Sequence, residues 1–253
     1  MKLACLFPSS PLKTKDIEVP EQFPELVLVV PVYNEEEAIV PVLQEWRTEL
    51  LRNTWNFKIL VVNDGSTDGT LSKVAMLTNW PELIIHTHTN RGHGQSCLVG
   101  YREAARLEAT YVFQIDSDGQ CDPAGFAGVW SRRGEAAAIY GRRLTRDDGW
   151  SRKLVTRVLR WSLKFMQHTQ LNDTNVPFRL YPAGLAAEMS HKIPPSFDLA
   201  NIAMALLMEP KGFIEVPIHF LDRSGGHASV RWTGFAKKAV RLFKDLKDLK
   251  HAG

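Results

Sequence analysis

The chain is predicted to fold as an α/β protein, with a mostly parallel, Rossmann-like sheet and helices on both faces. Three observations predict it. Short β-branched runs alternate with amphipathic helical stretches from residue 26 onward. The first runs are apolar throughout rather than alternating, as strands buried on both faces require. Three polar, turn-rich segments each follow such a run, at the strand ends where open parallel sheets bind ligands.

Residues 1–25 are rich in Pro and Ser, lack periodicity, and read as an N-terminal extension. Leu26–Val30 is the first strand. A helix is expected over Glu35–Leu51, where Ile39, Val42, Leu43, Trp46 and Leu50 share a face. Lys58–Val62 is the second strand, followed by the loop Asn63–Thr70. Asp68 suits a helix N-cap there, with a helix over about 68–78. A strand at 83–86, a helix over about 94–108 and a strand at Tyr111–Ile115 complete the alternation. Beyond residue 135, Ala137–Tyr140 reads as a strand and Ser151–His168 as a basic helix. An apolar helix at about 198–209, a strand at Phe213–Val216 and an amphipathic helix at Gly234–Lys250 follow.

At 44% hydrophobic and 23% charged, the chain has the composition of a globular protein with a full core. Cys5, Cys97 and Cys121 are scattered without ligand spacing, which indicates neither a disulfide framework nor a zinc site and favours a reducing compartment. The longest late apolar run, Leu199–Met208, is too short to span a bilayer. A cytoplasmic location is therefore expected. Net charge is only +3, yet residues 141–180 carry nine Arg/Lys against three Asp, and residues 223–250 eight against two. Such segregation points to one face for an anionic partner.

The chemistry centres on Asp116-Ser117-Asp118-Gly119-Gln120. Strand residues at i and i+2 point the same way, so a strand ending here presents both carboxylates from one edge. Hard divalent cations take such oxygens and often keep phosphate as a further partner. A calcium loop fails, with Cys121 at its sixth position and Ala127 at its twelfth. A P-loop is absent, and Gly92-His93-Gly94 lacks the third glycine of a dinucleotide fingerprint. A metal–diphosphate site beside polar side chains suits a nucleotide-sugar donor.

Val30-Pro31-Val32-Tyr33-Asn34-Glu35-Glu36, Val62–Thr70 and Asp116–Gln120 resemble, in order and spacing, the family 2 glycosyltransferases of the GT-A fold. Within them the chain is most similar to polyprenol-phosphate mannose or glucose synthases. The similarity extends through Asp122-Pro123, Gly141-Arg142-Arg143, Trp150–Thr156, Asp173–Arg179 and Val216–Arg223. The resemblance implies a nucleotide-sugar-binding half (26–140) and an acceptor-binding half (141–253) of one continuous domain.

It also implies roles. Pro31, Tyr33, Glu35, Asn63, Asp64, Asp116 and Ser117 would line the nucleotide pocket. Asp116, Asp118 and Gln120 would hold Mg²⁺ or Mn²⁺. Arg143, Arg152, Thr156, Arg179 and Arg223 would bind an acceptor phosphate. Asp118, Arg143 and Asp173 are the catalytic candidates, Asp173 as a base or as a structural partner of Arg179. Asn63 stands where many relatives carry Asp, and Pro177 replaces a Gly. GDP and UDP stay open as the nucleotide, and so does the sugar. The implied activity is inverting transfer of a hexose to a polyprenyl phosphate. The enzyme would sit peripherally on the cytoplasmic face of an anionic membrane, with a membrane protein as a further candidate partner. The alternatives are transfer to a soluble sugar or protein hydroxyl, or non-catalytic nucleotide-sugar binding. Nothing calls for nucleic acid.

Overall fold

The computed structural model describes residues 23–54, 56–144, 170–195, 197 and 199–221. The expected helices at 151–168 and 234–250 lie outside the described residues. Seven strands form one sheet in the order β3-β2-β1-β4-β6-β5-β7. They are β1 (Leu26–Val32), β2 (Phe57–Asn63), β3 (Leu83–Thr87), β4 (Tyr111–Ile115), β5 (Ala138–Arg143), β6 (Phe178–Pro182) and β7 (Phe213–Ile218). All pairs are parallel except those of β6, which runs antiparallel to β4 and β5.

Strand β1 is interior to the sheet and all seven of its residues are buried, as its unbroken apolar run requires. Helices α1 (Ile39–Asn53), α2 (Thr70–Ala75), α3 (His93–Arg106), α4 (Phe126–Trp130), α5 (Ala183–His191) and α6 (Ala200–Met208) cover the sheet. Helix α1 buries Ile39, Val42, Leu43, Trp46 and Leu50. On that side Trp46 meets Phe113, Phe126 and Phe178, with ring centroids 5.6, 6.2 and 5.8 Å away. Helix α3 packs on the opposite face with α5 and α6 beside it. There Tyr101 donates to Gln114 Oε1 at 2.8 Å, and Gly100 lies directly on Val29.

Helix α1 begins at Ile39 rather than Glu35 because the preceding backbone is already engaged. Glu35 N donates to Thr70 Oγ1 (2.9 Å) and Glu36 N to Asp68 Oδ2 (3.3 Å). Three described elements were not foreseen. Helix α4 has only five residues, β6 carries a charged Arg179 and ends in Pro, and α5 has little amphipathic contrast. Patterning finds none of these easily.

Strands β1 and β4 are neighbours, while the chain reaches β2 on the other side of β1. The order therefore reverses beside β1, and a crevice opens at the carboxyl ends of β1 and β4. Among the described residues, no helix is long and apolar enough to cross a membrane.

Gly100 tests the closeness of α3 to the sheet. Alanine there would gain about 1 kcal/mol of helix propensity, but its methyl would overlap Val29 Cγ1. Overpacking costs about 1–3 kcal/mol, so Gly100→Ala should show a net loss of stability in urea denaturation.

Candidate active site

The crevice is a cavity of about 1090 Å³, at the upper end of small-molecule sites. Of the expected residues, Pro31, Tyr33, Glu35, Asp64, Asp116, Ser117 and Asp118 line it. Segments after four parallel strands build its walls, and the first two are laced together. Asn34 sits in the left-handed region (φ 54°), where Asn is tolerated better than most residues. Its N–H donates to Ser66 Oγ (3.1 Å), and its Oδ1 accepts from Thr67 N (2.8 Å). Glu36 Oε2 accepts from Gly69 N (2.8 Å), while Lys73 Nζ donates to Glu36 O (2.8 Å). Asp68 accepts from Thr70 N and from Thr70 Oγ1. Burial pushes the Asp68 carboxyl upward, and these hydrogen bonds more than offset that, holding it below the usual range.

The third loop, after β3, was not foreseen as part of the site. Asp64 is almost fully buried, and its carboxylate accepts from Arg91 N (2.7 Å) and Gly92 N (2.9 Å). His88 Nδ1 lies 3.4 Å from Asp64 Oδ1, and His88 Nε2 lies 3.3 Å from Ser96 Oγ. Asp64 thus fastens the segment 88–92, which brings Asn90, Gly92 and His93 to the cavity. Gly65 is required here: its φ is +69°, and a Cβ would fall 2.9 Å from Asn90 N. The stretch Asn90–Gly94 follows a parallel strand and is turn-rich. That placement is the signal that could have found it; its incomplete glycine pattern is not.

Two expected nucleotide or phosphate contacts are corrected. Asn63 is buried, and its Oδ1 accepts from Ser66 N at 3.1 Å, so its side chain shapes the loop instead of facing the pocket. Arg179 is wholly buried and cannot meet an acceptor phosphate. It pairs in register with Gln114 and points to the α3/α6 side, where it donates to the carbonyls of Val176 (2.5 Å), Asn201 (2.6 Å) and Thr174 (2.7 Å). Its guanidinium also lies over the Tyr140 ring, 5.5 Å from the centroid. A buried charge satisfied by carbonyl oxygens is structural. Asp173 pairs with Arg143 (3.5 Å) rather than with Arg179. Arg152, Thr156 and Arg223 lie outside the described residues.

The acid pair follows β4 and faces the cavity. Burial lifts the Asp116 carboxyl above its ordinary range; His93, Arg143 and Arg179 oppose that rise, and Asp118 adds to it. Asp118 Oδ1 accepts from Gln120 N at 3.1 Å, so Gln120 reaches the pair through its backbone. His93 Nε2 stands 3.3 Å from Asp116 Oδ1 and 3.5 Å from Cys97 Sγ. The Cys97 sulfur, then the Asp116 and Asp118 carboxylates, raise the imidazole far above 6.5, to about 10, against a desolvation effect. Two hard carboxylates under mutual repulsion, open to the cavity, fit a divalent cation whose other ligands come from a diphosphate and water. Among the described residues, no cluster of three His, Cys, Asp or Glu side chains could hold a metal by itself.

With this geometry in place, comparison with known proteins decides the family. The model of glycosyl transferase family 2 matches residues 27–187. The chain belongs to that family. It is a glycosyltransferase with a GT-A-like sheet. The undecaprenyl-phosphate 4-deoxy-4-formamido-L-arabinose transferase of Enterobacter sp. (strain 638) is 24% identical over 232 residues, covering 89% of this chain and 67% of the relative. Among solved structures, glucosyl-3-phosphoglycerate synthase from Mycobacterium tuberculosis in complex with Mn²⁺ and UDP-glucose superposes with a TM-score of 0.60. It is 16% identical and covers 89% of this chain and 79% of that one. Mannosyl-3-phosphoglycerate synthase from Rubrobacter xylanophilus gives 0.61 at 13% identity, covering 88% and 72%. At these identities what the two structures show is the fold.

Two outcomes check the site. Arg179→Met should destabilise the protein by several kcal/mol, at about 1–3 kcal/mol for each buried carbonyl left without its donor. A melting temperature near wild type would instead free Arg179 from its structural role. In the metal-free protein, NMR should find His93 still protonated at neutral pH, because its pKa is raised. Cys97→Ser, which removes the largest contribution, should bring that titration down, and Asp116→Asn should lower it by less.

Proposed function

We propose that this glycosyltransferase moves a hexose from UDP or GDP to a polyprenyl phosphate at a membrane surface, inverting the anomeric centre. The observation that carries the reading is the joint placement of Asp116 and Asp118 on the cavity that Pro31, Tyr33, Glu35 and Asp64 also line. The relative named for undecaprenyl phosphate supports a lipid phosphate acceptor, and the Mn²⁺ and UDP-glucose complex supports a metal and a nucleotide sugar.

In this reading the exposed Tyr33 ring offers the base a stacking face, and Pro31 lines the same cavity. Asp64 works indirectly, by holding the loop that carries Gly92 and His93. Asp116 and Asp118, with Gln120 beside them, would hold Mg²⁺ or Mn²⁺. When bound, that cation supplies Lewis-acid stabilisation of the charge on the leaving nucleoside diphosphate. The acceptor oxygen bonds to the anomeric carbon as the carbon–diphosphate bond breaks, and the electron pair leaves with the diphosphate. A phosphomonoester, with a second pKa near 6, is largely ionised at pH 7, so no proton has to be removed.

Asp173 fits this economy. Its Oδ1 accepts from Asn175 N (3.1 Å), and its Oδ2 lies 3.5 Å from Arg143 Nε. A carboxylate so engaged serves as an anchor for Arg143 better than as a base for a hydroxyl. Arg143 would meet the acceptor phosphate, with Arg152, Thr156 and Arg223 as further contacts, and an arginine fork suits that task. The basic segments 141–180 and 223–250 would favour an anionic bilayer at about 1 kcal/mol per Lys or Arg near the surface.

The test is a donor screen by thermal shift with and without Mn²⁺, followed by turnover with a short-chain polyprenyl phosphate. Metal-dependent stabilisation should single out one nucleotide sugar, by about 2.7 kcal/mol at a hundredfold excess over Kd. Product from soluble glycans but not from polyprenyl phosphate would overturn the acceptor assignment. Asp118→Ala should lower turnover by at least about 10²-fold with the melting temperature nearly unchanged. Retained activity would count against the acid pair as the metal site.

A further inference from the structure

Arg143 ends β5 and is held from two sides by residues distant in sequence. Its Nε is buried and makes no hydrogen bond, but lies 3.5 Å from Asp173 Oδ2 as an ion pair. Its guanidinium carbon sits 4.1 Å from the centroid of the Phe220 ring. No hydrogen bond ties the guanidinium to another described side chain, and the side chain as a whole is 22% exposed. A guanidinium over an aromatic face is attracted by the ring quadrupole, and its plane is fixed by the stacking.

The position of Phe220 is set by the acid-pair loop itself. Cys121 and Phe220 form an isolated antiparallel bridge, and Leu221 N donates to Gln120 O at 2.9 Å. The ring is thereby tied to the residues directly following Asp116 and Asp118. Asp173 is fixed independently: Val176 N closes a turn onto its carbonyl, and the adjacent Asn172 is bound to Glu215 on β7 through its N–H (3.2 Å) and its amide (2.5 Å). Three chain segments, the end of β5, the 172–176 turn and the continuation of β7, thus meet on one cation. The field of that cation reaches Asp116.

We propose that Phe220 and Asp173 form a socket that positions Arg143 to receive the anionic oxygens of the acceptor. Phe220 is a positioning residue that never touches the reacting atoms. Asp173 acts through Arg143 in the same way. This rests on the acceptor reading above. The advantage is preorganisation: an arginine already held in one rotamer loses less freedom when a phosphate docks. Phe220 belongs to the stretch Val216–Arg223, where only Arg223 had drawn a role from sequence.

The experiment uses the full chain with Mn²⁺, a short-chain polyprenyl phosphate, and UDP-glucose or GDP-mannose, whichever the wild type turns over. Phe220→Leu keeps the bulk and removes the ring. It should raise the acceptor KM about 3- to 10-fold, with the donor KM and kcat within about twofold and Phe220→Tyr close to wild type. Asp173→Asn should show the same split, with the pH profile of kcat unshifted. An unchanged acceptor KM in Phe220→Leu, or an equal rise in donor KM, overturns the socket. A lost basic group in the Asp173→Asn profile does so too, by making Asp173 a proton acceptor. A thermal double-mutant cycle of Phe220→Leu with Arg143→Met reads the contact without any acceptor, and zero coupling overturns it. A wild type inactive on polyprenyl phosphate, with coupling present, overturns instead the acceptor reading on which the socket's use depends.

Discussion

Every feature of the cleft depends on β1 being paired along both edges. β2 and β4 lie parallel to it, in register from Leu26 with Phe57 on one side and Tyr111 on the other. Parallel pairing brings all three chains out at the same end of the sheet. The segment after β1, the Asn63–Thr70 loop and the Asp116–Gln120 loop therefore open onto one cavity. An antiparallel β2 or β4 would have sent one of those loops to the far edge. The apolar side chains that enforce this burial are far from any chemistry, yet they decide which polar residues meet.

The loops then hold one another by polar contacts at the expense of freedom. Asn34, Glu35 and Glu36 are bonded to Ser66, Thr67, Asp68, Gly69 and Thr70, and Asp64 is bonded to Arg91 and Gly92. Most of the conspicuous motif residues thus serve architecture first. A wall assembled from backbone N–H groups and short polar side chains is preorganised, and a ligand then binds at a lower entropic cost. Asp116 and Asp118 stand apart. Burial and the neighbouring Asp118 carboxylate disfavour charge on Asp116, which a cation would relieve, while His93, Arg143 and Arg179 relieve it only in part.

The second half of the molecule solves a different problem. β6 enters the sheet antiparallel between β4 and β5, and its alternation sends Phe178 to the α1 side and Arg179 to the α3 side. Arg179 fills the interior as a hub for three carbonyls, while Arg143, at the end of the neighbouring β5, pairs with Asp173 and lies over the Phe220 ring. Two arginines that look alike in a motif have opposite fates because one lies inside a strand and the other ends one.

The amino-acid sequence alone determined the sheet class, the first four strands, the family and the acid pair, because those follow from local apolar runs and from spacing within single loops. It did not reveal that Asn63 and Asp64 brace loops, that the segment after β3 joins the cavity, or that Asp173 faces Arg143 and not Arg179. Those are matters of which strands become neighbours and which face a side chain takes. Residues such as Asp173, Arg143 and Phe220, tens of positions apart, acquire a shared role only when non-local pairing closes the sheet. That pairing is a property of the packed tertiary structure, with no trace in local sequence.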